Sequence, residues 1–428
     1  MRNPVLVFAS LSVAAPAAAQ ITDLERQVGE RMLGGVFWVL DSLYFDASYK
    51  EPQFAEHWWP AREAVRQANS WGEILGAIAN ALYGMRDSHT RFVPPGLTVA
   101  VNYGWRWLVV GDACYVSAVE RGSDAARKGL VVGDRVVAID GADPTPENLD
   151  VISYVYHELA PRDRVQIVVE RTDGRHDTVA VEGKLRRRPP VADVSDLETR
   201  RRLLYEASMA DPGLRHRFKE VDSVAVWGFN VFQPDDRGID RYMDRARRQP
   251  WLILDLRGNG GGALETAGRL LGHFADSAYA AYRQIWRDST TEYTVEPRRE
   301  APYAGRVVAL IDRESASSAE LVAWTLRERH GAVVLGDRSA GNVRGSFVIP
   351  LVVGGRMERR FYPYAVQVTV FDIVMPDGTR LEGPGMRPDT VVLPGGADLM
   401  RAWDPVLQRA LALAGVTVSA EDAGRVLR

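Results

Sequence analysis

Two stretches of the sequence run from an apolar strand pattern through a turn into a helix pattern, and both carry groups that can act on a carbonyl carbon. They read WLILDLRGNGGGA (residues 251–263) and VVALIDRESASSAE (residues 307–320). In the second, Ser317 stands at the corner, where a hydroxyl projects from the turn and helix N-terminal amides stabilise negative charge. Ser317 and Glu320 also have the spacing of a capping box. These residues alone therefore leave two roles open for Ser317, a nucleophile or a helix cap.

The glycine-rich stretch has three possible roles. Gly258, Gly260 and Ala263 satisfy a dinucleotide fingerprint, but the acid expected about 20 residues later would be Asp276, in a helix tail. An ordinary tight turn is the second role. The third is a loop whose backbone N–H groups face a developing oxyanion. The sequence favours the third.

Two further segments carry a histidine and a glutamate that could take part in catalysis only beside other catalytic groups. His89, one of seven histidines, lies in MRDSHTRF (residues 85–92), between hydroxyl groups and outside any helical periodicity. A lone histidine is more often structural, so it matters only if a serine pairs with it. Glu382 lies in the turn-rich MPDGTRLEGPGMRPD (residues 375–389) and would ordinarily be a solvated carboxylate.

The elements that must position these groups change in type along the chain. Residues 21–83 show helical spacing, 97–183 show short strands, and 191–392 show apolar strands alternating with helices. Residues 398–415 read as one amphipathic helix near the end. Arg186 to Pro190 break the pattern and predict a linker.

Composition narrows the class of protein. The chain has 428 residues, 46% of them hydrophobic, which predicts about two or three domains. A net charge of −3 gives no reason to expect nucleic acid or an anionic membrane as the main partner. Cys114 is the single cysteine, so intrachain disulfides and thiolate metal clusters are excluded. Only four lysines occur, at Lys50, Lys128, Lys184 and Lys219, so almost all positive charge is arginine.

Residues 1–19 predict a cleavable signal peptide. Arg2 supplies the positive start, a short apolar run follows, and Ala17-Ala18-Ala19 resembles a signal-peptidase site. No stretch reaches the roughly 18 uninterrupted apolar residues of a membrane span. We therefore expect an exported protein, and its single cysteine suits a bacterial periplasm.

The strand-rich part resembles a PDZ domain. The resemblance rests on GSDAARKGL (residues 122–130) followed by GDRVVAIDG (residues 133–141). It implies that C-terminal carboxylates bind in a backbone nest beside an exposed strand, near Tyr103, Gly104 and Trp105. This loop departs from the usual Gly-Leu-Gly-Phe type.

Taken together, the segments resemble the C-terminal-processing, or tail-specific, serine peptidase family. The order matches over most of the chain: a helical start, D-x-H, a PDZ domain, LILDLRGNGGG, SASSAE and EGPGMRPD. The resemblance implies a mixed α+β peptidase core of crotonase-like ββα type. It also implies that Ser317 is the nucleophile and that the amides of Gly261 and Ser318 form the oxyanion hole, with Gly260 as an alternative to Gly261.

The sequence departs from that family at the base. The family's serine–lysine dyad places a lysine in the loop GDRSAGNVRG (residues 336–345), where this chain has Asn342. Arg344 cannot replace it, because a guanidinium stays protonated. The sequence also resembles a lysine-free branch of the superfamily, the tricorn core peptidases, whose active site is a tetrad. The positions here that match this tetrad are Ser317, His89, Ser88 and Glu382. In that arrangement a neutral imidazole takes the serine proton and returns it to the leaving amine.

The sequence therefore predicts an α/β serine peptidase in five parts: a signal peptide (1–19), a helical region carrying Ser88 and His89 (20–96), a PDZ domain (97–186), a peptidase core (187–396) and a C-terminal helix (397–428). Its substrates would be proteins or peptides, with no metal or organic cofactor, and it could form a homo-oligomer. The alternative is a catalytically inactive binding protein on the same fold, which the missing lysine motivates.

Overall fold

A computed structural model describes residues 21–49, 52–95, 99–146, 148–159, 161–187, 216–299, 301–355 and 360–427. The predicted signal peptide and most of the predicted linker lie outside these ranges. The chain starts with three helices, α1 (Asp23–Leu43), α2 (Pro52–Gln67) and α3 (Trp71–Tyr83). Thr22 caps α1 in a complete capping box with Glu25, and Ser70 caps α3. The helical periodicity of this region is confirmed.

The next part is rich in strands. Its elements are β1 (Arg91–Val93), β2 (Val99–Asn102), β3 (Trp105–Val110), β4 (Ala113–Val119), α4 (Asp124–Arg127), β5 (Arg135–Ile139), α5 (Leu149–Tyr154), β6 (Arg164–Glu170), β7 (His176–Glu182) and β8 (Lys184–Arg187). Strands β3 to β7 form an antiparallel sheet in chain order, and β2 pairs with β8. These strands have their own hydrophobic core, which includes Val116, Ile167 and Val181.

The remaining elements complete a mixed α/β fold, so the predicted α/β class is confirmed. They are β9 (Arg217–Val221), β10 (Val224–Gly228), α6 (Gly238–Ala246), β11 (Trp251–Asp255), α7 (Leu264–Gly272), β12 (Tyr279–Trp286), β13 (Thr290–Val295), β14 (Arg306–Ile311), α8 (Ser318–His330), β15 (Val333–Gly336), β16 (Gly345–Gly355), β17 (Arg360–Val374), β18 (Thr390–Val391), α9 (Gly396–Arg401), α10 (Pro405–Leu413) and α11 (Ala420–Ala423).

A six-stranded central sheet has the order β18-β15-β14-β11-β10-β9, parallel except for β9. Both of its faces are covered, as parallel sheets require. Along β14, Val307, Ala309 and Ile311 belong to one hydrophobic cluster, and Val308 and Leu310 to a second one that includes α10. The alternation is the period of two that a strand imposes.

A second sheet joins the start of the chain to its later part. Its strands run β1-β17-β12-β13, and β16 also pairs with β17. In the antiparallel β1–β17 pair, Phe92 lies opposite Val366. Because β1 begins two residues after His89, this pairing positions the histidine segment against the body that contains Ser317. None of the described helices combines the length and apolarity of a membrane span.

The single helix predicted over 398–415 is wrong. The chain forms α9 and α10 instead, separated by Ala402 in the left-handed region (φ 59°). Asp404 caps α10 with a bond from the Leu407 amide, and Pro405 occupies its first turn. A proline is tolerated there but not in a helix interior, so amphipathic periodicity alone misses the break.

Candidate active site

Ser317 occupies the turn between β14 and α8 in a strained conformation. Its φ is 54° and its ψ −120°, a combination that costs a residue with a side chain roughly 1–3 kcal/mol. A strained turn from strand to helix is the geometry that exposes a nucleophilic hydroxyl. Ser317 is partly exposed, so its position is compatible with attack on a substrate carbonyl.

The neighbouring serines have structural hydrogen bonds. The Ser315 hydroxyl donates to the Leu256 carbonyl oxygen at 2.8 Å, and the Ser318 hydroxyl donates to that of Gly262 at 2.9 Å. Both serines are 0% exposed. Their hydroxyls tie the turn to the glycine-rich loop, which leaves Ser317 as the accessible serine of the three.

The glycine-rich loop packs directly against the Ser317 turn. Gly261 has a φ of 93°, and a Cβ atom added to it would lie 2.6 Å from the Ser317 Cβ and 3.1 Å from the Ser318 amide nitrogen. The Ala316 amide donates to the Asn259 carbonyl oxygen at 2.9 Å. Only a residue without a side chain allows this approach, which explains a glycine at 261.

The two glycine amides considered for the oxyanion hole already have partners. Gly261 donates to the Asn259 side-chain oxygen at 2.9 Å, and Gly260 donates to the Asn230 carbonyl oxygen at 3.3 Å. A substrate oxyanion would therefore have to share or displace one of these bonds. The assignment of Gly261 and Ser318 to the oxyanion hole stays a prediction.

The Gly261→Ala substitution tests this close packing. We expect it to lower kcat/KM for peptide hydrolysis by about 100-fold or more, because the new methyl group displaces the loop from Ser317. Steady-state kinetics on a peptide substrate measures the effect. The matched control is Gly260→Ala, since nothing lies within 4 Å of a Cβ at Gly260. An equal loss in both variants would contradict the role of the contact at Gly261.

Three of the four predicted tetrad residues form a hydrogen-bonded chain. Ser88 Oγ donates to Glu382 Oε2 at 3.1 Å and lies 2.7 Å from His89 Nδ1. The Glu382 carboxylate also accepts from the backbone amides of Ser88, at 3.4 Å, and Val343, at 2.7 Å. The Ser88 hydroxyl and amide thus both bind the Glu382 carboxylate, which fixes the position of Ser88 beside His89.

This chain assigns the tautomer of His89. The Ser88 hydroxyl has one proton, and that proton goes to Glu382. Ser88 therefore accepts from Nδ1–H, which leaves the Nε2 lone pair available to take a proton. Burial lowers the pKa of His89 to about 4, with Arg344 and Arg91 acting in the same direction and Asp87 opposing them. The imidazole is consequently neutral at pH 7, as a general base requires.

Asp87 holds the histidine segment, and sequence reasoning missed this role. Its side chain is 0% exposed and accepts from the His89 amide (2.9 Å), Tyr44 Oη (2.8 Å), Thr369 Oγ1 (2.7 Å) and Arg344 Nη1 (2.7 Å). Arg344, which cannot act as a base, here neutralises a buried carboxylate. The D-x-H pattern indicated that Asp87 belonged to the site, but its partners are up to 282 residues away in sequence.

Glu320 joins the Ser317 turn to the loop that lacks the lysine. Its carboxylate accepts from the amides of Ser317 (3.0 Å), Gly341 (2.9 Å) and Asn342 (3.0 Å) and from Ser339 Oγ (2.5 Å). Burial raises the pKa of Glu320 to about 7, although these four hydrogen bonds act to lower it. The sequence placed Glu320 in a helix cap, and the structure adds its contact with the loop.

Two consecutive amides of that loop connect the two halves of the site. The Asn342 amide donates to Glu320 and the Val343 amide to Glu382, at 3.0 and 2.7 Å. Within the described chain, no hydrogen bond joins Ser317 Oγ to His89, so the connection runs through these two carboxylates. Catalytic hydrogen bonds are often long in unliganded enzymes and shorten in the substrate complex.

The residues predicted to bind a peptide carboxylate lie at the start of β3. The side chains of Tyr103 and Trp105 are buried in the core of the small antiparallel sheet, with exposures of 5% and 9%. Gly104 has a φ of 72°, and its amide donates to the Asn102 side-chain oxygen at 2.8 Å. Binding of a peptide here stays a prediction. No cluster of three or more metal-binding side chains occurs in the described ranges.

Comparisons with known proteins find similarity to peptidases. Residues 223–392 match the family described as Peptidase family S41. The chain is 22% identical over 348 residues to carboxyl-terminal-processing peptidase 1, chloroplastic, of Arabidopsis thaliana, covering 78% of this chain and 64% of that protein. It is 23% identical over 384 residues to the carboxyl-terminal-processing protease of a Synechocystis strain, covering 83% and 78%. The chain thus spans less than two thirds of the Arabidopsis relative.

Solved structures show the same fold. Mature CPAF complexed with lactacystin superposes with a TM-score of 0.65 at 14% identity, covering 88% of this chain and 96% of that chain. A second structure, of mature CPAF, also gives a TM-score of 0.65, at 15% identity, with coverage of 88% and 95%. At this level of identity the similarity establishes the fold alone.

Proposed function

We propose that this chain, whose residues 223–392 match peptidase family S41, is an exported serine peptidase that uses His89 instead of a lysine as its base. The proposed tetrad is Ser317, His89, Ser88 and Glu382. The observation that carries the proposal is the hydrogen-bonded chain from Glu382 through Ser88 to His89 Nδ1, at 3.1 and 2.7 Å. Such a chain has the function of the carboxylate in a serine–histidine–carboxylate triad.

The proposed reaction is acyl transfer in two steps. Ser317 Oγ attacks the peptide carbonyl carbon while His89 Nε2 takes the hydroxyl proton. The C–N bond then breaks, and the imidazolium returns the proton to the leaving amine. In the second step His89 takes a proton from water as the water oxygen attacks the acyl carbon. The ester C–O bond then breaks, and the imidazolium gives that proton to Ser317 Oγ, which restores both residues. Glu382 stabilises the transient imidazolium through the Ser88 hydroxyl.

The glycine-rich loop would stabilise the tetrahedral intermediate. Gly261 and Ser318 are its proposed amide donors, supported by the close approach of Gly261 to the Ser318 nitrogen. Each such donor typically contributes about 10²–10³ in kcat. The Asn259 side chain now accepts from Gly261 at 2.9 Å, which keeps this amide oriented until an oxyanion replaces that partner.

The small antiparallel sheet would act as a PDZ domain that recruits or gates substrate through its C-terminal carboxylate. Two observations support this role. Strand β3 is at the edge of its sheet, where an extended peptide can add as a further strand. Its turn into β4 also touches the peptidase core, because the Gly111 amide donates to Asp337 at 2.7 Å and Asp112 pairs with Arg313 at 3.1 Å. Both contacts flank the loops around Ser317.

A serine-directed fluorophosphonate probe distinguishes the enzyme from an inactive binding protein. We expect covalent labelling at Ser317, because a hydroxyl becomes nucleophilic only beside a competent base. Mass spectrometry of the labelled tryptic peptide identifies the site. The control is Ser277→Ala, which removes an exposed serine hydroxyl outside the proposed tetrad. In this variant Ser317 should still be labelled fully. An unlabelled Ser317 in folded protein would favour the inactive alternative.

A further inference from the structure

A hollow outside the proposed active site is lined mainly by arginine. We call it the arginine hollow; its two adjoining parts have volumes of about 660 and 700 Å³. Its described lining consists of eight arginines, two aspartates, Pro297 and Ala301. Eight arginines thus face two aspartates, in a chain whose net charge is −3.

The aspartates neutralise only part of this charge. Asp240 pairs with Arg298 at 2.8 Å and Arg269 at 3.1 Å, and Asp244 pairs with Arg299 at 2.8 Å. In contrast, the exposed guanidinium groups of Arg237, Arg241 and Arg248 have no carboxylate within ion-pair distance among the described residues. No carboxylate of the described residues therefore neutralises these three positive charges, and they can attract an anion from solution.

The spacing of the arginines fits an extended chain. Arg237, the N-cap residue of α6, and Arg241 and Arg245 within it recur every four residues. They lie within about 80° of one another around the helix axis and about 6 Å apart along it. Arg245 also pairs with Glu220 at 3.5 Å. Alternate side chains of an extended peptide are about 6.6–6.8 Å apart on one face. Carboxylates on alternate residues of a peptide can thus meet successive arginines, each with the forked geometry that guanidinium offers a carboxylate.

The lining also discriminates between classes of polyanion. Apart from charged groups it contains only Pro297 and Ala301. Among the described lining residues there is no aromatic side chain on which a base could stack, and no large apolar side chain that could enter a lipid surface. An acidic polypeptide needs neither.

The arginine hollow lies a short distance along the chain from the glycine-rich loop. Phe232 forms a parallel β-bridge with Gly262. The Phe232 amide donates to the Gly261 carbonyl oxygen, and the Ala263 amide donates to the Phe232 carbonyl oxygen, both at 2.7 Å. Arg237 follows five residues later, so its Cα lies within about 18 Å of that of Phe232. A substrate of moderate length can therefore reach from Ser317 to the arginine hollow.

We propose that the arginine hollow is a second substrate-binding site, which takes an extended acidic segment of the polypeptide being cleaved. That the acidic segment belongs to a substrate rests on the proposed function. That the arginine hollow binds an acidic segment does not. Electrostatic capture of this kind raises the association rate and the effective affinity more than it changes the chemical step.

Binding is measured with a Ser317→Ala protein, so that no turnover is needed. The probe is a fluorescein-labelled peptide of alternating Asp and Ser, compared with one of alternating Asn and Ser, by fluorescence anisotropy. We expect the Asp peptide alone to bind, and Arg241→Glu with Arg248→Glu to weaken its Kd at least about tenfold. The matched control is Arg121→Glu with Arg409→Glu. It reverses two exposed arginines outside the arginine hollow, for which the described part of the chain shows no ion pair.

Three outcomes would overturn the proposal: equal affinity in both double variants, equal binding of the Asn peptide, or binding of phosphatidylglycerol vesicles in place of the Asp peptide. In active protein, a substrate with an acidic segment should show a lower KM than its neutral counterpart, and the Arg241→Glu, Arg248→Glu pair should remove only that difference. If no variant hydrolyses peptides yet the Asp peptide binds, the proposed function fails and the acidic-segment site stands.

Discussion

Replacing Ser317 by alanine is expected to lower kcat for peptide hydrolysis by about 10⁴-fold or more, the loss usual for removal of a nucleophile that acts with a base. The substitution removes only an oxygen from a partly exposed side chain. We therefore expect the midpoint of urea unfolding to change little, because the bonds that build the turn involve Ser315, Ser318 and Glu320.

The Ser318→Ala variant separates the nucleophile from its neighbour. It removes the buried bond to the Gly262 carbonyl oxygen, which should cost about 1 kcal/mol of folding free energy and preserve most of the activity. Urea unfolding measures the loss of folding free energy, and single-turnover kinetics with the purified variant measures the activity. If Ser317→Ala keeps wild-type turnover while Ser318→Ala loses it, the nucleophile has been assigned to the wrong serine.

The His89→Ala substitution is expected to lower kcat by about 10³-fold or more, because Ser317 then has no group to take its proton. The matched control is His176→Ala, which removes an exposed imidazole from β7. Circular dichroism of each variant checks that the fold persists. Undiminished hydrolysis by His89→Ala would contradict the tetrad.

The pH profile gives a second readout for His89. Burial lowers its pKa to about 4, and the neutral form is the active one, so kcat/KM should hold as pH falls below 6.5 and decline only near pH 4. A histidine with an ordinary pKa would lose activity around pH 6.5. An acidic limb near 6.5 in folded protein would contradict the lowered pKa of His89.

The parts of the site that are local in sequence could be read without the structure. A buried strand, a turn and a helix are consecutive in the chain, so the corner position of Ser317 follows from its own neighbours. The same holds for the glycine-rich loop. Because glycine has no side chain, a run of glycines indicates that another segment approaches the backbone closely, although it does not show which segment. The absence of lysine from residues 336–345 was equally visible and directed attention to His89.

The partners of those residues were decided by tertiary structure, because hydrogen bonds between distant segments leave no periodic trace in sequence. Ser88 and Glu382 are 294 residues apart, and the pairing of β1 with β17 brings their segments to one place. The arginines of the hollow come from α6, α7 and the segment after β13, and only packing makes them one surface. Sequence by itself determined which groups could do chemistry, since that depends on residue type and local backbone. The fold decided which of them meet, because a side chain acts only on atoms within a few ångströms of it.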